Sequence, residues 1–344
     1  MSDLLYEIGT EELPAGYLEP ALEQLAAEVE RRLSGCRLPP ERVRTAGTPR
    51  RLALAVEGIP EVQPPVEVRS VGPPATVAFD QDGNPTPAAE GFARSKGVPV
   101  ESLQVEQTQK GPYVVAVRQE AGRPAADLLP ELLRQATAAV GWPKSMRWEP
   151  EGCLFARPIR RLAALLDAEV LPLTIAGIAA GRTTRGHRFL APEELDLEDA
   201  SFDSYLEALR SRFVIADIQE RRELIRRQVN ELLAPHGSEL ADEALLEQVA
   251  NMVEHPHAVE GSFDEHFLEV PAPVLVAAMK EHQAYFPVYD AEGKLPSSSW
   301  AGSATTWSAP TAWRSCRPAS RRRSARGWTC AACGAPRGCA RPIC

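Results

Sequence analysis

At 344 residues the chain has room for about two to three domains of roughly 100–200 residues each, and its 44% apolar and 25% charged residues fit a globular protein with a full core. A net charge of −9 argues against a generally basic nucleic-acid surface and leaves a local basic patch open. No window carries the roughly 18 consecutive apolar residues of a membrane helix. The start Met1-Ser2-Asp3-Leu4-Leu5-Tyr6-Glu7 lacks a signal's basic flank and apolar run, and Cys36 and Cys153 are the only cysteines before residue 297; both point to a cytoplasmic protein.

Residues 3–8 read as a strand. Leu18, Leu22, Leu25, Val29 and Leu33 recur at helical spacing, with Gly35 as the stop. Residues 42–46 and 51–57 read as strands around the turn signal Thr48-Pro49. Proline punctuation at Pro60, Pro64, Pro65, Pro73 and Pro74 precedes a turn at Asp80–Asn84, a helix over 86–96 and a strand at Tyr113–Val117. Leu128, Leu132, Leu133 and Ala136 share a helical face. Met146–Ile178 is β-rich, with candidate strands at 162–166 and 171–175. Beyond Arg188-Phe189 the pattern turns helical. Leu206 and Leu209 lie on one helix. Asp217 and Glu220 form a capping-box-like start to the next, whose core face is Ile218, Ile225, Val229 and Leu232. Leu245, Leu246, Val249 and Val253 mark another helix, residues 271–281 a last short one, and Phe286–Tyr289 a strand.

This is a multidomain α+β chain with mixed sheets and a helix-rich segment after about residue 190. The expected segments are an N-terminal α+β part (1–66), a small α+β module (67–143), a β-rich part packing with the N-terminal one (144–190), the helix-rich part (191–296) and a non-native, disordered tail (297–344) that is expected to form no structure.

The tail differs in kind. It has no Asp, Glu, Lys, Leu, Val, Phe, Tyr or Met, but five of the seven cysteines, four of the six tryptophans and eight arginines. Its +8 leaves −17 on residues 1–296. Three readings compete. GC-rich coding DNA translated out of frame yields this composition, which favours a frameshift. A disordered basic tail is usually poor in Trp and Cys. Cys330-Ala331-Ala332-Cys333, with Cys339 and Cys344, has partial zinc spacing but no apolar residues to pack around a metal.

The body lacks a phosphate loop, a dinucleotide fingerprint and a nucleophile elbow, and no catalytic or metal-binding residue is assigned to it. Glu11 and Glu12 read as acids at a helix N-terminus. His255-Pro256-His257, with His266 and His282, reads as a surface loop ahead of a metal site. Basic residues cluster at Arg50-Arg51, Lys144/Arg147, Arg157/Arg160/Arg161, Arg182/Arg185/Arg188 and Arg221/Arg222/Arg226/Arg227. Arginines beside aromatics, in Met146-Arg147-Trp148 and His187-Arg188-Phe189, suit phosphates and stacked bases. On the helix over 217–233 they read as a solvated face paired with nearby glutamates. For the loop arginines around 182–188 both readings stay open.

Several strings in succession carry a resemblance: Glu7-Ile8-Gly9-Thr10-Glu11-Glu12-Leu13-Pro14, Thr48-Pro49-Arg50-Arg51-Leu52-Ala53, Ala88-Ala89-Glu90-Gly91-Phe92-Ala93, Lys144-Ser145-Met146-Arg147-Trp148, Thr184-Arg185-Gly186-His187-Arg188-Phe189 and Met279-Lys280-Glu281-His282-Gln283-Ala284-Tyr285-Phe286-Pro287-Val288. Over about 290 residues they resemble the β subunit of bacterial heterotetrameric glycyl-tRNA synthetase. The resemblance implies an α2β2 ligase joining glycine to tRNA(Gly) with ATP and Mg²⁺, adenylation on the α subunit, and tRNA and α-subunit binding by β. On it, Arg50, Arg51, Lys144, Arg147, Arg185, His187, Arg188 and Lys280 are candidate tRNA or partner contacts, and this chain alone binds no cofactor. Two departures stand out. Glu254-His255-Pro256 replaces the family's Glu-Trp-Pro, and relatives continue past Pro296 into a metal-phosphohydrolase-like helical domain and an anticodon-binding region. The alternatives are a truncated, non-catalytic fragment binding tRNA or the α subunit, and a zinc-binding regulatory protein using the Cys-rich tail.

Overall fold

The computed structural model describes residues 1–80, 83–108, 111–148, 152–261, 265–289, 295 and 300–305. The chain divides into two compact units, one of residues 1–223 with 244–254, the other of residues 224–243 with 255–344. Helices and several separate sheets make it α+β, as expected.

The first unit opens with β1 (Ser2–Thr10), α1 (Ala15–Gly35), β2 (Arg42–Thr48) and β3 (Arg51–Ile59). A small module follows: β4 (Val66–Pro74), α2 (Ala75–Ala78), α3 (Pro87–Lys96), β5 (Gln104–Thr108) and β6 (Gly111–Glu120). Next come α4 (Ala125–Ala139), the pair β7 (Met146–Trp148) and β8 (Cys153–Phe155), and the strands β9 (Ile159–Leu166), β10 (Glu169–Val170), β11 (Thr174–Ile175) and β12 (Ile178–Gly181). β13 (Thr183–Arg185) pairs with β14 (Glu194–Asp196), and α5 (Phe202–Arg210), the first residues of α6 (Ile218–Leu233) and most of α7 (Glu243–Ala250) complete the unit.

The main sheet runs β11-β12-β9-β1-β3-β2, with β10 beside β9. β1 lies between β3 and β9, antiparallel to both. Its sequence suits a strand covered on both faces, because side chains alternate sides and both sets are buried. Leu4, Tyr6 and Ile8 join Leu52, Leu54, Val56 and Leu162 on one face, covered by Leu18, Leu22, Leu25, Val29 and Leu33 of α1 and Leu129, Leu132 and Leu133 of α4. The Tyr6 hydroxyl, buried there, is satisfied by Thr137 Oγ1 of α4 at 2.8 Å. On the other face Leu5 packs with Ala53, Ala55, Ala163 and Leu165 against Phe202, Tyr205 and Leu209 of α5. Ala53 and Ala163 flank Glu7 on this face, and their small volume leaves room for polar side chains in the layer.

In the module, β4-β6-β5 form a sheet closed by α2 and α3 over a small core of Ala78, Ala89 and Val114. β4 falls in the stretch read as proline punctuation. Its Pro73 and Pro74 sit at the strand's end, where a missing N–H is tolerated.

The second unit holds the later part of α6, β15 (Pro256–Gly261), α8 (Ala272–Ala277), β16 (Tyr285–Pro287) and β17 (Trp300–Thr305). Its sheet runs β15-β17-β16. β17 is the departure from the expectation of no structure in 297–344: its backbone pairs antiparallel with both neighbours. The rest of that segment, including the cysteines of the zinc reading, lies outside the described residues.

Local expectations shift in several places. Leu129 of α4 is fully buried while Leu128 packs only partly on the core, and Leu233 of α6 is buried in place of Leu232. Residues 171–173 stay outside any strand, and β12 supplies the pairing instead. The arginines of α6 are not one solvated face. Arg221 is fully buried and donates to the carbonyls of Ala250 at 2.6 Å and Ile215 at 2.5 Å, while Arg222 reaches Glu19 at 2.5 Å. Asp217 does cap the helix, accepting from the N–H groups of Gln219 and Glu220 at 2.8 and 3.1 Å, but Glu220 turns to Arg210 instead of closing the box.

Candidate functional site

Glu7 sits mid-strand in β1 with no exposure. Both carboxylate oxygens are occupied. Oε1 accepts from Arg161 Nε at 2.9 Å, Oε2 from the Tyr205 hydroxyl at 2.6 Å, and Thr184 Oγ1 lies within 2.9 Å of both. Arg51 Nη1 stands 3.7 Å from Oε2. Strand register explains the convergence. Gly9 is paired with Arg51 on β3 and with Arg161 on β9, so both arginines lie one alternation from Glu7 on its own face. A Cβ at Gly9 would fall 2.4 Å from Arg161 Cγ, so the missing side chain is what lets Arg161 cross β1 to Glu7.

Burial alone would push the Glu7 carboxyl up. The charges of Arg161 and Arg51 and the hydrogen bonds from Tyr205 and Thr184 outweigh it, so the group is held below its ordinary value. Burial and the adjacent Glu7 push the Tyr205 hydroxyl well above its ordinary value. Glu254, also buried, accepts from Thr48 Oγ1 at 2.6 Å and lies 3.5 Å from Arg51 Nη2, which donates to the Arg185 carbonyl at 2.9 Å. Two acids thus hold Arg51 beneath the surface.

Above this floor opens a cleft of about 480 Å³. Arg50, Arg51, Arg160, Arg161, Arg185 and Arg188 line it with Thr183, Thr184, Gly186 and Pro192; its acids are Glu11 and Glu194. Arg160 pairs with Glu11 and Arg185 with Glu194, each at 2.7 Å, and Arg188 meets Glu12 at 3.4 Å. Glu11 and Glu12 therefore bind Arg160 of β9 and the loop residue Arg188 instead of dressing a helix end: α1 starts at Ala15 with no acid in its first turn. Arg50 has no carboxylate partner among the described residues. Burial lowers the affinity of its guanidinium for the proton, and the charges of Arg188 and Arg161 add to this against the opposing pull of Glu254. The Nε atoms of Arg50 and Arg51 are buried without an acceptor, a condition native structures rarely leave unexplained.

Four of the expected contact residues, Arg50, Arg51, Arg185 and Arg188, meet in this cleft. His187 is buried behind it, its Nδ1 accepting from the N–H groups of Phe189 and Leu190 at 3.3 Å, and so shapes the loop. Lys144 and Arg147 are exposed near β7 and line no part of the cleft. Lys280 belongs to the second unit, where it pairs with Asp242 beside Phe286 and Tyr289 in a cleft of about 410 Å³. Arg160 and Arg161 are brought in from their own cluster. Glu7, Thr184, Tyr205 and Glu254 were not singled out as site residues. For Glu7 a signal existed: an acid inside Leu4–Ile8, a strand with apolar residues on both faces, demands a buried cation.

Gly186 fixes the loop that carries Arg188. A Cβ there would stand 2.5 Å from the Ala191 carbonyl oxygen and 2.7 Å from Arg212 Cβ. Gly186→Ala is expected to destabilise the fold by about 1–3 kcal/mol, the usual range for overpacking, as read by denaturant unfolding.

The model of the family described as glycyl-tRNA synthetase beta subunit matches residues 4–298. The chain belongs to the glycyl-tRNA synthetase β-subunit family. Among similar curated proteins, the glycine–tRNA ligase beta subunit of Geobacter metallireducens is 47% identical over 296 residues, 86% of this chain and 43% of the relative. That of Moorella thermoacetica is 46% identical over 294 residues, 85% of this chain and 42% of the relative. The chain thus spans less than half the length of the glycyl-tRNA synthetase β subunits it matches. The family match ends beside Lys294-Leu295-Pro296, where the composition changes.

Proposed function

We propose that this chain acts as the β-subunit portion of a glycine–tRNA ligase, supporting ATP-dependent attachment of glycine to tRNA(Gly) by binding the tRNA and the α subunit of an α2β2 enzyme. The observation that carries the tRNA reading is the arginine cleft: six guanidinium groups face one recess, and Arg50 forms no ion pair with a carboxylate among the described residues. Guanidinium groups match phosphate oxygens in geometry and charge. The chain's overall −9 does not oppose this, because screening confines electrostatic attraction to about 8–10 Å at physiological salt. ATP and Mg²⁺ are used by the assembled enzyme on the α subunit. Among the described residues no group of three or more His, Cys, Asp or Glu is placed to hold a metal ion. No helix of the described residues is long and apolar enough to cross a membrane, and the cytoplasm is where such a ligase would work.

Mixing the chain with a purified α subunit, ATP, Mg²⁺, glycine and tRNA(Gly) tests the reading. Glycylation is expected to exceed that of the α subunit alone. No stimulation, with no binding of either tRNA or α subunit, would contradict it.

A further inference from the structure

We propose that the cleft of the first unit receives an unpaired, splayed-out nucleotide of the bound RNA, with its phosphate against Arg50 and its base against the Arg188–Phe189 pair. This rests on the reading that the chain binds tRNA.

Depth is the first argument. Arg51 at the floor is 1% exposed and the Arg161 side chain 17%. Phosphates of an A-form duplex lie on a convex surface and meet side chains that project. A recess with half-buried Arg50 in its wall is reached by a strand that has left the helix. The volume of about 480 Å³ falls in the range of roughly 300–1,000 Å³ typical of sites for small organic groups.

Polarity is the second. A phosphodiester brings one negative charge and several acceptor oxygens, which suit the carboxylate-free Arg50 and the acceptor-less Nε atoms beside it. Arg160 and Arg185 already hold Glu11 and Glu194, so Arg50 is the arginine whose charge remains to be met.

A stacking platform is the third. Phe189 is 55% exposed, and the Arg188 guanidinium lies 5.6 Å from its ring centroid. Arginine planes and aromatic rings are the two surfaces on which unstacked bases rest. Here the two are paired, and Arg188 is itself part of the cleft lining with Phe189 next to it in the chain.

The test is fluorescence anisotropy on the full chain with two probes, an unstructured 12-nucleotide RNA and a 12-base-pair RNA duplex. Single-stranded RNA is expected to bind at least about tenfold tighter than duplex. Phe189→Ala should weaken single-strand binding about tenfold, within the range reported for loss of one base–aromatic stack, leave the duplex unchanged, and be rescued by Phe189→Tyr. Equal affinity for the two probes, or no effect of Phe189→Ala on the single strand, would overturn the inference. If Arg50→Gln then still weakens both RNA forms alike, the tRNA reading stands and the unpaired nucleotide falls. If neither probe nor tRNA(Gly) binds, both fall.

Discussion

Glu7→Gln is expected to destabilise the first unit by about 3–5 kcal/mol, the cost of leaving a buried charge without its partner. Arg51 stays at 1% exposure with its main counter-charge removed. The amide nitrogen that replaces one oxygen cannot accept from Tyr205 or Thr184, which both donate to the carboxylate. For a unit of this size the unfolding midpoint should fall by about 10 °C. The pH dependence follows from the direction of the Glu7 shift. Its carboxyl is held below the ordinary value of 4.5, so the stabilisation is complete above about pH 4.5 and fades as the pH falls through the lower folded-state value. Thermal unfolding between pH 3 and 7 should therefore show a steep acid limb in the native chain and a flatter one in Glu7→Gln. Parallel limbs would show that the carboxylate is not what the arginines hold.

The same cluster shows how far the sequence could be read. β1, α1, β2 and β3 were legible from periodicity, because alternation in Leu4–Ile8 and the 3.6-residue repeat of Leu18–Leu33 each report burial directly. Long-range pairing was not. That β9 lies next to β1, some 150 residues away in the chain, depends on tertiary register, and it is this register that sets Arg161 opposite Gly9. The arginines of the cleft were visible one by one as basic clusters. Their meeting in one recess, and the exclusion of Lys144, Arg147 and Lys280 from it, are set by where the strands and the loop after β13 end. The helix arginines misled for a related reason: Arg221 occupies a core position of α6 because two backbone carbonyls accept its N–H groups, which a binary apolar–polar pattern does not register.

Binding to tRNA(Gly) as a function of salt bears most directly on the proposed role of the cleft. Arg50→Gln removes the one arginine of the lining without a carboxylate partner and disturbs no ion pair. If Arg50 meets a phosphate, the substitution should lower affinity about tenfold near physiological salt and reduce the slope of log K against log salt by about one. An unchanged affinity and slope, in a variant whose unfolding curve matches that of the native chain, would contradict the assignment of this cleft to RNA.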